Sequence, residues 1–272
     1  MIEIPFDPSL VLGPLRVAWH SLFSYVGLLA GAWLSFRCAR YLVKDQRIYL
    51  FAIAVVVGGL VGARAMHLLD SWPRYAANPV EALAIWNGGI GTMGAPFGST
   101  VFGYLAARRL RLPLGFMFDT TVIGIALGLA LGRIGDVING EHPAASCSGV
   151  PWCVGYTHPA TYGQPGPVHP VVAYDLLWDL VILASTYALW RRVRGHQPEG
   201  RVWMVFILMY GAGRAISSNL RLDPVVFAGL QGGQLAGIFY VLVGGAGLTW
   251  IAARARLGAA AIVAVNDRRP RR

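Results

Sequence analysis

Three arginines stand inside or at the edge of long apolar runs of the chain. They are Arg64, Arg133 and Arg214, each close to a glycine. A charge inside a bilayer is costly, so an arginine at such a place is a functional hypothesis by default. Its planar guanidinium can make two parallel hydrogen bonds to a phosphate, and three of them at similar depth could gather on one phosphate group. The alternative is that each side chain reaches to the interface or pairs with a carboxylate. The candidates for such pairing are Asp119, Asp136 and Asp175.

The stretch 131–141 next to Arg133 carries the densest group of polar side chains. Asp136, Asn139 and Glu141 supply acceptors and an amide just after the predicted end of a helix. They could orient a bound headgroup. The alternative is a glycine-rich helix cap with Asn139-Gly140 as its turn. The spacing leaves both interpretations open.

Histidine is the natural general base for a thiol or hydroxyl nucleophile. His142 lies near the polar loop, and His20 lies at the start of the first apolar run. A single histidine at a membrane interface is more often structural than catalytic. Motifs for zinc hydrolysis, nucleotide binding, a serine-hydrolase elbow or a paired CxxC do not occur in the sequence. No metal site and no cofactor are predicted.

Seven apolar segments must position these residues. Each is close to the length of about 20 residues that crosses a bilayer as a helix. The segments are 17–36, 48–69, 88–107, 116–132, 171–190, 202–218 and 229–252.

The basic residues alternate along the chain and predict its topology. Seventeen of the 23 Lys and Arg residues fall in four clusters that the seven segments place on one side, and only Arg16, Arg74 and Arg221 fall on the other. Basic residues mark the cytoplasmic side. We therefore expect an all-α integral membrane protein with seven transmembrane helices, its N-terminus outside and its C-terminus in the cytoplasm. The three apolar-segment arginines then lie in the outer half of a bacterial-type inner membrane.

The longest loop, 134–170, contains no Lys or Arg and is predicted to lie outside. Its Gly, Pro, Trp and Tyr content favours an ordered external loop. Cys147 and Cys153 share this loop, and they could form a disulfide or remain two thiols. We expect a single membrane domain over 1–255 and a basic cytoplasmic tail over 256–272.

Composition excludes several other classes. The 272 residues are 56% hydrophobic and only 13% charged, whereas soluble domains are about 25% charged. The net charge of +10 could suggest nucleic acid, but the basic residues flank apolar segments and form no solvated face, so no nucleic-acid partner is expected. A small-solute transporter would show internal symmetry and matched interrupted spans, and neither is evident.

The residues 132–141 resemble the signature of the prolipoprotein diacylglyceryl transferase family, G-R-x-G-N-F-x-N-x-E. The match is specific because several polar positions recur in register. Other stretches look like further elements of the family, in the same order, so the resemblance covers nearly the whole chain. They are 168–175 (R-H-P-S-Q-L-Y-E), 210–224 (Y-G-x-x-R-x-x-x-E-x-x-R-x-P-D), Gly62-Ala63-Arg64, Trp86-Asn87-Gly88-Gly89 and Gly233-Gln234.

The resemblance implies a transfer reaction without metal or cofactor in a protein of seven spans. The diacylglyceryl group of phosphatidylglycerol passes to the lipobox cysteine thiol of a preprolipoprotein, and glycerol phosphate leaves. The implied partners are phosphatidylglycerol, the lipobox peptide and membrane lipid. By position, the catalytic groups fall on Arg133, Arg214, Glu141, Asn139 and Tyr210. The groups that hold the phosphate of phosphatidylglycerol fall on Arg133, Arg64, Arg221 and Asp136.

Four positions depart from the family pattern. Met93 replaces the histidine of W-x-G-G-x-x-x-H-G-G, Asp136 an asparagine, Ser218 an acid and His20 the tyrosine of H-W-Y-G. Methionine cannot take a proton from a thiol. Either another group is the base, with His20, His142 and Glu141 as candidates, or the family histidine is not the base. A third interpretation is a catalytically silent paralogue that binds anionic lipid or a lipopeptide.

Overall fold

The computed structural model of the chain describes residues 1–84, 94–196 and 198–267, with side chains as far as residue 256. Each of the seven apolar segments overlaps one long helix within these residues, and a short helix, α3, follows the second. The helices are α1 (Trp19–Ala39), α2 (Arg47–Asp70), α3 (Trp72–Ala77), α4 (Gly94–Arg109), α5 (Leu114–Asn139), α6 (Val171–Val193), α7 (Arg201–Ser217) and α8 (Gly232–Asp267).

Six short strands, which the sequence did not predict, lie in the segments outside the helices. They are β1 (Ile2–Ile4), β2 (Ser9–Leu12), β3 (Leu15–Ala18), β4 (Val154–Tyr156), β5 (Val225–Phe227) and β6 (Leu230–Gln231). β1 pairs with β4 in parallel, while β2–β3 and β5–β6 are antiparallel pairs. Positive φ angles at Gly13, and at Ala228 and Gly229, form the tight turns of the two antiparallel pairs.

Five helices in the described ranges are long and apolar enough to cross a membrane: α1, α2, α5, α6 and α8 as far as Arg256. The chain is thus a mostly helical, multi-pass membrane protein. Helices α4 and α7 have 16 and 17 residues. At 1.5 Å per residue α7 is about 26 Å long, slightly less than the hydrocarbon core of about 30 Å, whereas the described part of α4 begins at the first residue after the gap 85–93. The total of seven spans stays a prediction.

The predicted end of the fourth segment at residue 132 is wrong. Helix α5 continues to Asn139, so Arg133 and Asp136 lie within its last two turns. The hydropathy falls at Arg133, but the helix persists because protein partners satisfy these polar side chains. The predicted loop 134–170 accordingly begins after Asn139. At the other end of the chain, the segment predicted as a tail from residue 256 starts inside α8.

One compact unit comprises Ala39–Met117. Glycines bring its helices α2 and α4 into backbone contact, since a Cβ added at Gly62 would lie 2.3 Å from the carbonyl oxygen of Gly94. A Cβ at Gly98 would lie 2.1 Å from the carbonyl oxygen of Gly58. The spacing of four residues on each helix is the small-xxx-small pattern of membrane helix pairs.

The other compact unit comprises Met1–Cys38 with Phe118–Arg272. Helices α1 and α5 meet in the same way, because a Cβ at Gly31 would lie 2.4 Å from the carbonyl oxygen of Gly124. Near the far end of this pair, a Cβ at Gly135 would lie 2.5 Å from the carbonyl oxygen of Trp19 and 2.7 Å from the Cα of His20. Its apolar core joins α5, α6 and α7 with the end of α1. The buried members are Cys38, Val122, Ile123, Ala126, Ile182, Trp190, Val202 and Phe206.

Residues 140–170, which we call the cap, are ordered and close over the end of α5. A disulfide joins Cys147 to Cys153. The Tyr156 hydroxyl donates to the carbonyl of Val137 at 2.9 Å, and the Thr161 hydroxyl donates to the carbonyl of Asn139 at 3.1 Å. The cap therefore satisfies carbonyls that the last turn of α5 would otherwise leave unpaired.

Candidate functional site

Arg133 points from α5 towards three carboxylates. Its Nη1 donates to Asp136, one turn further along α5, at 3.2 Å. Nη2 lies 3.8 Å from Asp175, and Nε lies 3.6 Å from Asp179, both on α6. The Nε atom makes no hydrogen bond to any described residue. Arg133 is therefore neutralised by carboxylates, yet it keeps hydrogen-bonding capacity for a further acceptor.

Arg221 follows a 3₁₀ turn after α7, and its side chain is fully buried. Its Nη2 donates to Asp175, the carboxylate that also faces Arg133. Nε and Nη1 are buried and make no hydrogen bond within the described part of the chain. Burial lowers the pKa of Arg221. The charge of Asp175 raises this pKa, and the charges of Arg214 and Arg133 lower it.

Arg214 lies near the end of α7, where it has the loosest ion pair of the three. Its Nη2 is 3.7 Å from the Asp223 carboxylate, which is partly exposed. The guanidinium lies against the backbone of Gly233, where an added Cβ would come within 3.0 Å of its Nε and Nη2. A side chain at position 233, at the start of α8, would displace the Arg214 guanidinium, so this position requires glycine.

Arg133, Arg214 and Arg221, which we call the arginine cluster, act together on His142. This histidine follows the end of α5 and has a left-handed backbone with φ +66°. Burial lowers its pKa to about 4, and the charges of Arg221, Arg133 and Arg214 contribute, against Asp136. Burial is the largest cause of this shift and of that of Arg221, and the smaller arginine contributions to both reflect the proximity of these groups. The predicted gathering of arginines is present for Arg133 and Arg214, with Arg221 as the third member.

Arg64, predicted to belong to the same group, lies in the unit Ala39–Met117. Its Nε donates to the carbonyl of Ala82 at 3.0 Å, and its Nη2 donates to the carbonyl of Glu81 at 2.6 Å. The guanidinium also lies over the ring of Tyr75, 5.2 Å from its centroid. These contacts tie Arg64 to the segment after α3.

Asn139 and Glu141 lie on either side of a left-handed turn at Gly140, φ +76°. The completely buried Asn139 donates through Nδ2 to Glu141 Oε1 at 3.3 Å. Its Oδ1 has no hydrogen-bond partner among the described residues. The turn is a glycine helix cap, as one of the two interpretations predicted, and the role of these polar groups in orienting a headgroup stays a prediction. Glu141 and His142 also line a small cavity of about 60 Å³ beneath the cap.

His20, in the first turn of α1, contacts Asp136 on α5 through its Nδ1. Half of the His20 side chain is exposed, whereas that of Asp136 is buried. Two of the four departures from the family signature are thus in direct contact with each other. A third, Ser218, donates to the carbonyl of Arg214 at 2.7 Å. The fourth, Met93, lies outside the described residues, as does Trp86-Asn87-Gly88-Gly89.

Tyr210 lies on α7, one turn before Arg214. Its ring stacks on Phe206, with centroids 5.9 Å apart, and is tilted against Tyr240 at 6.0 Å. It interacts electrostatically with Arg133. Tyr210 is therefore held rigidly beside the arginine cluster.

Asp179 is the residue of this group that the sequence reasoning missed. It is buried on α6, one turn after Asp175, and faces Arg133. The signal was present, since an aspartate within the apolar segment 171–190 is as costly as an arginine. The carboxylates considered from the sequence were Asp119, Asp136 and Asp175, and Asp179 was not among them. By contrast, Asp119 bonds to backbone N–H groups of Gly200 and Trp203 at the start of α7.

Comparison with known proteins gives a consistent result. The family model described as prolipoprotein diacylglyceryl transferase matches residues 9–250. A phosphatidylglycerol–prolipoprotein diacylglyceryl transferase of Synechococcus elongatus is 33% identical over 252 residues, which cover 90% of this chain and 87% of the relative. The protein of that name from Gloeobacter violaceus is 32% identical over 247 residues, covering 88% and 90%. One from Trichormus variabilis is 30% identical over 257 residues, covering 92% and 91%.

Proposed function

Because the chain belongs to the prolipoprotein diacylglyceryl transferase family, we propose that it transfers the diacylglyceryl group of phosphatidylglycerol to the lipobox cysteine thiol of preprolipoproteins. Glycerol phosphate is the leaving group. The observation that carries the proposal is the arginine cluster beside buried carboxylates and a tyrosine. No cofactor is needed for this displacement.

Arg133 and Arg214 are proposed to bind the phosphate of phosphatidylglycerol. Arg214 is the easier of the two to engage, because its ion pair with Asp223 is long and partly exposed. Arg133 is held in place by α6, yet its Nε is free of hydrogen bonds to the described residues. Arg221 supports them by adding a buried positive charge. Arg64 is assigned to phosphate support from the resemblance.

Charge develops on the phosphate as the bond to the diacylglyceryl carbon breaks. Preorganised guanidinium groups stabilise that charge more in the transition state than in the ground state, which is the source of catalysis. The carboxylates of Asp136 and Asp175 fix the guanidinium positions in advance, so little reorganisation is required. This arrangement suits transfer from an anionic phospholipid.

The remaining polar groups are proposed to orient the substrates. The buried Oδ1 of Asn139, which lacks a partner among the described residues, can accept a hydrogen bond from a glycerol hydroxyl. Glu141 holds the Asn139 amide in position. The Tyr210 hydroxyl donates a hydrogen bond to the reacting groups beside Arg133. The thiol must also lose a proton, and His20 and His142 are the possible bases.

The proposed setting is the inner membrane of a bacterium, in a single seven-span domain over 1–255 with the N-terminus outside. The distribution of basic residues supports this orientation. The Cys147–Cys153 disulfide supports a cap that faces an oxidising compartment. A secreted lipobox cysteine arrives on that side. The basic segment 256–272 would then lie at the cytoplasmic face. A C-terminal fusion to a fluorescent protein that folds only in the cytoplasm tests this topology.

The test of function uses purified protein, phosphatidylglycerol vesicles and a lipobox peptide, with the diacylglyceryl peptide measured by mass spectrometry. We expect product with the unaltered chain and with Met93→Ala, and at least a hundredfold loss with Arg133→Ala or Arg214→Ala. Arg74→Ala is the matched control, because Arg74 makes an exposed ion pair with Glu81. Absence of product, where a relative works under the same conditions, overturns the proposal. Vesicle binding without product then indicates a silent lipid-binding paralogue.

A further inference from the structure

His20 and Asp136 form a polarised pair. An ionised carboxylate only accepts hydrogen bonds, so we assign the tautomer in which Nδ1–H of His20 donates a hydrogen bond to Asp136. The lone pair of the neutral ring then belongs to Nε2. Within the described residues Nε2 has no hydrogen-bond partner, and half of the side chain is exposed. The ring therefore presents an oriented proton acceptor outwards.

Asp136 connects this histidine to the arginine cluster. One carboxylate oxygen faces His20, and the other accepts from Arg133 at 3.2 Å. Behind Arg133 lie Asp175 and Asp179 of α6. The ring of His20 is thus one carboxylate away from the guanidinium proposed to hold the phosphate. The exposed side of the ring, where Nε2 lies, is open to an approaching thiol.

We propose that His20, oriented by Asp136, is the general base that deprotonates the lipobox cysteine. The proposal rests on the proposed function. His20 is the catalytic residue of the pair, and Asp136 is a positioning residue that fixes the tautomer and stabilises the imidazolium.

Nε2 of His20 takes the proton from the cysteine thiol, and the thiolate attacks the glycerol carbon of the diacylglyceryl group that is bonded to phosphate oxygen. A C–S bond forms and a C–O bond breaks. The electron pair of the broken bond stays on the phosphate oxygen of the leaving glycerol phosphate. The imidazolium then gives its proton to that oxygen, and His20 is neutral again.

Two other groups near the cluster are less suited to this task. No acceptor among the described residues orients the His142 ring, and burial together with three arginines lowers its pKa to about 4, so it is a weak base. Glu141 is engaged with the amide of Asn139. An effective base binds its proton near the working pH and is held by a partner. His20 has such a partner.

The experiment measures peptide diacylglycerylation by the full-length chain as a function of pH, with His20→Ala, His20→Gln and Asp136→Asn. We expect kcat to fall by about 10²- to 10⁴-fold in the two His20 variants, the range for loss of a general base. The KM for phosphatidylglycerol should change little in them. Added imidazole should restore part of the rate to His20→Ala only. The rise in rate with pH should disappear from that variant.

The matched control is His158→Ala, since His158 belongs to a second histidine–aspartate pair, 3.9 Å from Asp7 and apart from the arginine cluster. It should keep the rate and the pH profile of the unaltered chain. If His20→Ala is too unstable to assay, Asp136→Asn decides. A lower kcat with a shifted pH profile supports the pair, and an unchanged kcat overturns it.

Full activity of His20→Ala with an unaltered pH profile overturns the base assignment and leaves the proposed function standing. Loss of activity without imidazole rescue, with the pH profile of the residual rate unaltered, does the same. If the unaltered chain gives no product while a relative does, the proposed function fails and the base assignment fails with it.

Discussion

Gly135 is where α5 comes closest to the beginning of α1, and Gly135→Ala is the most direct test of that geometry. A Cβ at this position would lie 2.5 Å from the Trp19 carbonyl oxygen and 2.7 Å from the Cα of His20. Ordinary contact begins at 3.4 Å, so the backbone of α1 must move by about 0.9 Å. Both obstacles are main-chain atoms, and rotation of a side chain cannot relieve them.

Gly135→Ala should lower both the stability and the activity of the protein, by different amounts. Overpacking costs about 1–3 kcal/mol, and the better helix propensity of alanine returns up to about 1 kcal/mol. We therefore expect a destabilisation of about 1–2 kcal/mol. The same movement displaces His20 from Asp136 by nearly 1 Å, and a misplacement of that size costs about 10²-fold in rate. Expressed as a free energy, this loss of about 10²-fold in rate is larger than the expected loss of stability.

Gly132→Ala is the matched control one turn earlier on the same helix. A Cβ there meets only the Ser24 hydroxyl oxygen, at 3.7 Å. This variant should unfold at the same temperature or slightly higher and keep its rate. Thermal unfolding in detergent and the diacylglyceryl transfer assay measure both quantities. If Gly135→Ala and Gly132→Ala behave alike in the two assays, the close approach of α1 and α5 is wrong.

Three further predictions concern the cluster and the cap. Asp175→Ala should destabilise the protein by about 3–5 kcal/mol in thermal unfolding, because it leaves the fully buried Arg221 without its carboxylate. Cys147→Ser or Cys153→Ser should cost about 2 kcal/mol, the loop-closure entropy of a short disulfide loop, with reductant abolishing the difference from the unaltered chain. The pKa of His142 is lowered to about 4 from 6.5, so the unfolded chain binds the extra proton, and the free energy of unfolding should fall as pH drops from 6.5 towards 4.

Controls separate these predictions from general damage to the protein. Asp45→Ala removes the carboxylate of an exposed ion pair with Arg47 and should leave the unfolding temperature unchanged. An equal effect of Asp45→Ala and Asp175→Ala contradicts the burial argument. His142→Gln should flatten the acid dependence between pH 4 and 6.5, and an unaltered slope contradicts the assignment to His142.

The sequence predicted the helical segments and singled out Arg133 and Arg214 as candidates, because both inferences follow from local properties. Apolar length identifies helices, and a charge within such a run is conspicuous. The end of α5 was misjudged for the same reason. The hydropathy drops at Arg133, whereas the helix ends only where hydroxyl groups of the cap donate hydrogen bonds to its last carbonyls, at Val137 and Asn139.

The contact between His20 and Asp136 could not be predicted from the residues, since 116 positions separate them. It depends on how α1 lies against α5. The glycine spacings did hold part of that information, because Gly27 and Gly31 match Gly124 and Gly128 as small-xxx-small patterns. Strand β1 was missed because three residues form too short a pattern to recognise.

The parallel pairing of β1 with β4 sets a time order for biogenesis. Ile2 pairs with Val154, so roughly 150 residues must be synthesised between these partners before the pair can close. The edge of β1 that pairs with β4 stays unpaired while the intervening helices are inserted into the bilayer. Pairing of β1 with the cap is consequently a late event that follows synthesis of those helices. In a nascent chain that stalls before residue 154, β1 keeps an unpaired edge that other chains can pair with.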